Sequence, residues 1–357
     1  MSDSTSDRLT AAVITYNSEA YVRNCLDSLR VAGLVEENLL VVDDGSTDGT
    51  ATIMAKEFSG VRFLADGKNR GHSHACNRAI REAVTPWVVL IDHDTEVHPD
   101  WLVELSRGIE QRPEAAIVVA RTVFDFDRQT IHADGGFAHF LGNMTLLNGF
   151  APLADASNGM VELGAAGTTS MAVNRDWAIR VGGFDEAFFI YLNDFEFSLR
   201  VRLAGGRLYC APLSIIYHKG GTPDVSFRGK KDYPPRRAYL ILRNRWFLIL
   251  KLYRVKTLLL ISPALLLYEG LLLFMAIRKG VWREYGRACL WLIRNFSLVR
   301  MHRQQAQGIR QLGDAELLSA GPLTFVPGVV CGRFAQSCKS LMEGLFSLYW
   351  RGMGKFL

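Results

Sequence analysis

The chain has 357 residues, 49% of them hydrophobic and 22% charged, with a formal net charge of +5. That length exceeds one ordinary compact domain, so one sizeable core plus an appendage is expected. The net charge conceals a split: residues 1–218 carry 18 Lys and Arg against 29 Asp and Glu, whereas residues 219–357 carry 23 against 7. So basic a rear half suits nucleic acid or an anionic membrane, and the long Leu-rich runs between its basic residues select membrane over nucleic acid. The six cysteines form no C-x-x-C pair and the start MSDSTSDR is polar, so a reducing cytoplasmic setting is expected.

From Leu9 the pattern predicts an apolar strand, Thr10 to Thr15, a turn at Tyr16-Asn17-Ser18, and a helix with Tyr21, Val22, Cys25, Leu26 and Leu29 at helical spacing. A second strand, Asn38 to Val42, runs into Asp43-Asp44-Gly45-Ser46, followed by a helical stretch through Ile53 and Phe58. Val61 to Leu64, a helix from about Ser73 to Ala83, and the apolar Trp87 to Ile91 continue the alternation. This is the pattern of a parallel sheet buried on both faces, whose ligands sit at the carboxyl ends of the strands. Residues 117–217 are more mixed, with Gly-rich turns at Gly135-Gly136, Gly182-Gly183 and Gly205-Gly206, and predict short strands with one helix near Asp194 to Leu203.

The boundary is expected in the stretch Gly220 to Pro235, which is rich in Gly, Pro and Lys and divides the chain into a flexible 1–8, a core over 9–228 and a helical, membrane-associating 229–357. Leu258 to Ile277 has the length of a membrane span, but carries Pro263 and, near its centre, Glu269. An acid at that depth costs about 3 kcal/mol on insertion scales. In-plane or re-entrant helices, a true span and a buried helical core all remain open for it. Arg236-Arg237-Ala238-Tyr239 and Arg243-Asn244-Arg245-Trp246 read as snorkelling Arg and interfacial aromatics at a headgroup layer.

At a strand's end, Asp92-His93-Asp94 puts two carboxylates on one side of an extended chain, because side chains alternate with period two. Both then face one hard cation, Mg or Mn, able to neutralise charge on a nucleotide diphosphate. Asp43, also at a strand's end, suits hydrogen bonds from a base imide or a ribose hydroxyl, with a helix-capping role as the structural alternative. A guanidinium such as Arg70 suits a diphosphate.

Val13-Ile14-Thr15-Tyr16-Asn17, Val41 to Asp48, Asn69-Arg70-Gly71, Asn77 and Asp92-His93-Asp94 together resemble the ordered signature of family-two glycosyltransferases over about Thr10 to His218. The resemblance implies a GT-A fold, an α/β architecture with a mostly parallel sheet flanked by helices. It also implies an inverting transfer from a nucleotide diphosphate sugar (dTDP-, UDP- or GDP-linked) to a glycan or polyprenyl-linked acceptor at the cytoplasmic membrane face. By it, Thr15, Tyr16, Asn17, Asp43, Asp44, Asn69, Arg70, Gly71, Asn77 and Asp92 form the nucleotide site, and Asp94 and His218, the latter in Tyr217-His218-Lys219-Gly220-Gly221, hold the metal. Lys219 and Arg228 would close over the phosphates.

The same resemblance places the catalytic base in an acidic motif at the start of a helix, matched by Asn193-Asp194-Phe195-Glu196 after Gly182-Gly183-Phe184-Asp185-Glu186. Asp194 is then the base and Glu196 an acceptor-side residue, although Asn193 stands where an acid is common. The rhamnosyltransferase-like variant Asp-x-x-Asp-x-Glu is met in part, since Tyr191 stands at its first Asp. Gly167 and Thr168, in a run of small residues, suit a backbone passing close to a sugar. Q-x-x-R-W, usual in processive synthases, is matched only by Arg243-Asn244-Arg245-Trp246, so single additions are expected. Two other readings compete. A nucleotidyltransferase would need a Gly-rich phosphate loop after the first strand, where Thr15-Tyr16-Asn17 stands, and a catalytically silent scaffold would have no need of Asp92, Asp94, Asp194 and His218.

Overall fold

The computed structural model describes residues 8–220, 234–324 and 332–357. Most of the expected boundary stretch, with Gly221 and Arg228, lies outside the described residues, as do nearly all of the N-terminal segment and Cys331. Among the described cysteines, Cys25, Cys76, Cys210, Cys289 and Cys338 are free thiols.

The first half alternates as expected: β1 (Leu9–Thr15), α1 (Val22–Val31), β2 (Leu39–Asp43), α2 (Thr50–Glu57), β3 (Arg62–Ala65), α3 (His72–Glu82), β4 (Trp87–Asp92), β5 (Thr95–Val97) and α4 (Trp101–Gln111). The middle holds β6 (Ala115–Phe124), β7 (Ile131–Ala133), β8 (Gly136–His139), β9 (Asn143–Leu146), β10 (Val161–Leu163), β11 (Ser170–Asn174), α5 (Arg175–Arg180), α6 (Asn193–Leu203) and β12 (Arg207–His218). The expectation of short strands and one helix fails here, because β6 and β12 run for 10 and 12 residues and α5 adds a second helix. Continuous apolar stretches such as Ala115 to Ala120 carry no period that distinguishes a long buried strand from a short one.

The main sheet runs β10-β12-β6-β11-β4-β1-β2-β3, with β5 beside β12 and β7 beside β6. Strands β1 to β4 pair in parallel, as do β6 and β12, while β11 lies antiparallel between β4 and β6. Alternation along β1 sends Leu9, Ala11 and Val13 to one core with α1, α2 and α4, and Ala12 and Ile14 to the other with α3, α5 and α6. Both faces are thus covered, although edge strand β3 is largely open.

The rear half is helical: α7 (Pro235–Leu252), α8 (Val255–Arg278), α9 (Trp282–Arg294), α10 (Phe296–Gly308), α11 (Asp314–Leu317) and α12 (Arg333–Met353). It is no detached appendage. β13 (Leu318–Ser319) completes a small sheet with β8 and β9, and a third core joins Phe195, Leu199 and Leu203 of α6 to Phe247, Leu248 and Leu252 of α7. Helix α6 therefore buries two opposite faces, since Phe197 and Val201 point into the second core.

Candidate active site

Three motifs meet because three parallel strands end together. Thr15 is in register with Asp43 across β1 and β2, and Ile14 with Asp92 across β1 and β4. The loops leaving β1 and β2 are joined by hydrogen bonds. Thr15 Oγ1 donates to Asp43 (2.9 Å), the Asn17 N–H donates to Ser46 Oγ (2.8 Å), and Asn17 Oδ1 accepts the Thr47 N–H (2.9 Å). Asn17 adopts φ 49° to do so, a conformation Asn tolerates better than most residues. Tyr16, half-buried, follows Thr15, its N–H donating to Ser18 Oγ (3.0 Å).

Asp43 is buried and accepts from Thr15, from the Ser46 hydroxyl and from the Ser46 N–H. Most of its acceptor capacity therefore fastens its own loop, and it does not cap the following helix, whose N-cap is Gly49. Asp44 accepts the N–H groups of Arg70 (2.7 Å) and Gly71 (2.8 Å), which fixes the Asn69-Arg70-Gly71 turn. Burial raises its pKa above the ordinary carboxylate value, against those two N–H donors. The side chains of Asn69 and Arg70 are exposed beside the strand ends. Asn77 lies elsewhere in function: its amide donates to Phe184 O and Glu186 and accepts the Phe184 N–H. With its donors and acceptor so engaged, Asn77 clamps the Gly-Phe-Asp-Glu turn to α3.

The Asp92-His93-Asp94 run closes β4. Asp94 and His218 are drawn together by the β5–β12 pairing, which sets His218 opposite Thr95 and lets the Lys219 N–H donate to Asp94 O (2.9 Å). His218 Nε2 stands 3.5 Å from Asp94 Oδ1, and one ligand atom from each of Asp92, Asp94 and His218 falls within 4.8 Å of the others. Burial alone would raise the Asp94 carboxyl, but His218 beside it holds it well below the usual range. His93 turns away, its ring edge-on to Tyr21. Lys219 pairs with Glu96 (2.6 Å) at the rim.

Asp194 lies in the first turn of α6. Its carboxylate accepts the Phe195 N–H (2.8 Å) and lies 3.4 Å from the Thr168 N–H, with Gly167 adjacent, so a side chain at Gly167 would crowd it. Burial raises the Asp194 pKa, with the Phe195 N–H opposing. Glu196 points the other way: fully buried, it pairs with Arg200 (2.8 Å) and with Lys251 of α7 (2.7 Å). It is a structural anchor, which corrects its assignment to the acceptor side.

Two features escaped the sequence reading. His72, the first residue of α3, sits between the two halves, with Nε2 3.4 Å from Asp92 and Nδ1 3.0 Å from the Asn193 amide. The Asn193 position thus links to the Asp92 side through a histidine. The second feature is the support of the loop before Asp194, where Phe189, Tyr191 and Leu192 all have positive φ, a conformation costing roughly 1–3 kcal/mol per residue. The α7 side chains hold it: Asn244 donates to the carbonyls of Phe188, Ile190 and Tyr191, and Arg243 to those of Ala187 and Phe188. Arg243 and Arg245 are 7% and 2% exposed, so the headgroup role read for them is wrong. A pattern of Arg and aromatics has the same composition whether it faces lipid or a strained loop, and only the tertiary contacts decide. Gly71 ties the halves together, since a Cβ there would lie 2.5 Å from the Phe189 ring.

The sequence profile of Glycosyl transferase family 2 matches residues 10–171, which include β1 through β4 and the Asp92-His93-Asp94 run. An N-acetylglucosaminyl-diphospho-decaprenol L-rhamnosyltransferase of Mycobacterium tuberculosis is 25% identical over 266 residues, covering 67% of this chain and 85% of that protein. A teichoic acid poly(glycerol phosphate) polymerase of Staphylococcus epidermidis is 37% identical over 95 residues, 26% of this chain and only 13% of that protein. Among solved structures, GalNAc-T7 with UDP, GalNAc and Mn2+ shares the fold with a TM-score of 0.51 at 15% identity, over 69% of this chain and 48% of that one. Over residues 10–171 the chain is thus similar to glycosyltransferase family 2, and the fold it shares with GalNAc-T7 is GT-A.

Proposed function

We propose that the chain transfers a sugar from a nucleoside diphosphate donor to a hydroxyl of a polyprenyl-linked or glycan acceptor, with inversion, at the cytoplasmic face of a membrane. The observation that carries it is the convergence of Asp92, Asp94 and His218 on one point, with Asp194, in the first turn of α6, close enough to Asp92 to feel its charge. Two carboxylates and an imidazole are a donor set suited to Mn or Mg. A cation held there would supply charge neutralisation at the departing diphosphate. The loops carrying Thr15, Asn17, Asp43, Asp44, Asn69, Arg70 and Gly71 form the nucleotide end of the groove, in which Asp43 and Asp44 act mainly by fixing the loops.

Inversion needs one displacement, in which the acceptor oxygen attacks the anomeric carbon as the bond to the diphosphate breaks. Asp194 takes the hydroxyl proton. Its raised pKa makes it a better acceptor than a solvated Asp, and the loop clamped by Arg243 and Asn244 holds it in place. Gly167 and Thr168 bring the backbone close to it, with the Thr168 N–H 3.4 Å from its carboxylate. A polyprenyl-linked acceptor is supported by the rhamnosyltransferase relative, named for a decaprenol-linked substrate.

The test is a thermal-shift series with UDP, GDP and dTDP, with and without Mn2+. One nucleotide is expected to stabilise the protein in the presence of metal, and Asp94→Ala to lose that stabilisation. Failure of all three with metal present would exclude the donor assignment.

A further inference from the structure

Helix α8 is long and apolar enough to cross a bilayer, but its contacts place it differently. Its 24 residues span about 36 Å at 1.5 Å per residue, a little more than the roughly 30 Å of a hydrocarbon core. Its middle is bound to the catalytic core: Tyr268 receives a hydrogen bond from Asn143 of β9 (3.1 Å), and Glu269 pairs with Arg245, whose guanidinium also donates to Leu141 O. A spanning α8 would carry the Leu141–Asn143 turn and β9 to mid-bilayer, where open strand edges and loops find no partners.

The two sides of α8 differ sharply. Thr257, Ile261, Ala264, Leu265, Tyr268 and Ala276 are buried, at helical spacing. The opposite stripe, Leu259, Leu266, Phe274 and Ile277, is exposed, with Leu259 and Leu266 at 70% and 73%. Helix α9 extends this surface with exposed Trp282, Leu290 and Ile293, and α12, held to α8 by Tyr349 donating to Leu260 O, adds Leu341, Leu345 and Leu348. So large a set of exposed apolar side chains on neighbouring helices marks an interaction surface. Its charge is one-sided. Residues 254–310 carry ten Lys and Arg against Glu269 and Glu284, Glu269 is occupied by Arg245 and Tyr285, and Arg278, Lys279, Arg283, Arg287 and Arg294 are exposed beside the apolar stripes.

We infer that α8, α9 and α12 form a one-leaflet docking platform for a bilayer rich in anionic lipid, with α8 lying in the membrane plane rather than across it. Apolar side chains enter the headgroup boundary and the arginines meet lipid phosphates, an arrangement that adds burial to electrostatic attraction. The platform rests on the reading of a membrane-facing acceptor, and it would deliver the enzyme to that acceptor.

Full-length protein is floated with vesicles of phosphatidylcholine alone or with 30% phosphatidylglycerol. The expected result is binding to the anionic vesicles, at least tenfold weaker for Leu266→Asp/Phe274→Asp and for Arg283→Gln/Arg287→Gln, with nucleotide-stabilised melting unchanged. Bound protein carrying single cysteines at Lys256→Cys or Lys279→Cys, in a background without exposed native thiols, should react with an impermeant maleimide from the same side. Labelling from opposite sides would show a span and overturn the proposal. So would absence of vesicle binding, or sedimentation in which Leu266→Asp/Phe274→Asp merely converts a self-associated form to monomer. Loss of vesicle binding with nucleotide binding intact would leave the proposed transfer standing, whereas loss of nucleotide binding alone would spare the platform.

Discussion

The proposed donor side and the proposed base side of the site are built in opposite ways. The donor side is local: its carboxylates sit at the ends of adjacent parallel strands, and its loops fasten one another through Asp43, Asp44, Asn17 and Ser46. The base side is assembled at long range. Asp194 follows a loop with positive-φ residues whose carbonyls are held by Arg243 and Asn244, α6 is anchored by Glu196 to Lys251 of α7, and the turn before it by Asp185 to Lys251 and to His302 of α10. The lesson is that binding can be encoded in short motifs, while placing a base demands a scaffold that here comes from the rear helices.

The sharpest way to break this comparison is Asp94→Ala. With one of the three proposed metal ligands gone, transfer should fall by about three orders of magnitude, in keeping with the several kcal/mol a metal supplies, and metal-dependent nucleotide binding should weaken with it, measured by titration calorimetry. Asn244→Ala should do the reverse. Releasing three carbonyls of the base loop is expected to lower kcat about 100-fold, the scale of a 1 Å misplacement, with the nucleotide Kd unchanged. Equal losses in both quantities would dissolve the distinction.

Lys251→Met probes the anchor. Leaving Asp185 and Glu196 short of a buried cation should cost about 3 kcal/mol in chemical denaturation. Burial opposes ionisation of both acids, but His302 and Lys251 hold Asp185, and Arg200 and Lys251 hold Glu196, below their ordinary values of 3.8 and 4.5. Their contribution is therefore present above those unfolded values and lost as pH falls through the folded ones. The wild-type advantage over Lys251→Met should shrink on acidification.

A smaller effect concerns catalysis. Because burial raises Asp194 and a base acts deprotonated, if Asp194 is the base the acid limb of kcat/KM should lie above the ordinary 3.8, with activity rising as pH climbs through it. A limb at or below 3.8 would assign the base elsewhere.

Much of the donor side was legible because strand ends and their carboxylates are neighbours in sequence: Thr15, Asp43 and Asp92 follow apolar runs that read as strands. His218 was legible by resemblance, and its approach to Asp94 depends on the β5–β12 pairing that no local pattern announces. His72 was missed because a helix's first residue, after Gly71, carries no signal of facing Asp92. Glu196 was misplaced because an acid at a helix start looks the same whether it faces a ligand or a buried partner. Arg243 and Arg245 were assigned to lipid for the same reason, since sequence gives composition and spacing but not the partners they hold, the Ala187 and Phe188 carbonyls for Arg243 and Leu141 O and Glu269 for Arg245.

The separation of the two sides is tested most directly by Asp194→Asn, assayed in parallel for nucleoside diphosphate affinity with Mn2+ and for sugar transfer. The affinity should stay within about twofold of wild type while transfer falls by about 10²–10⁴, the range of a lost general base. Transfer near the wild-type rate, or a nucleotide affinity that collapses with it, would contradict the account.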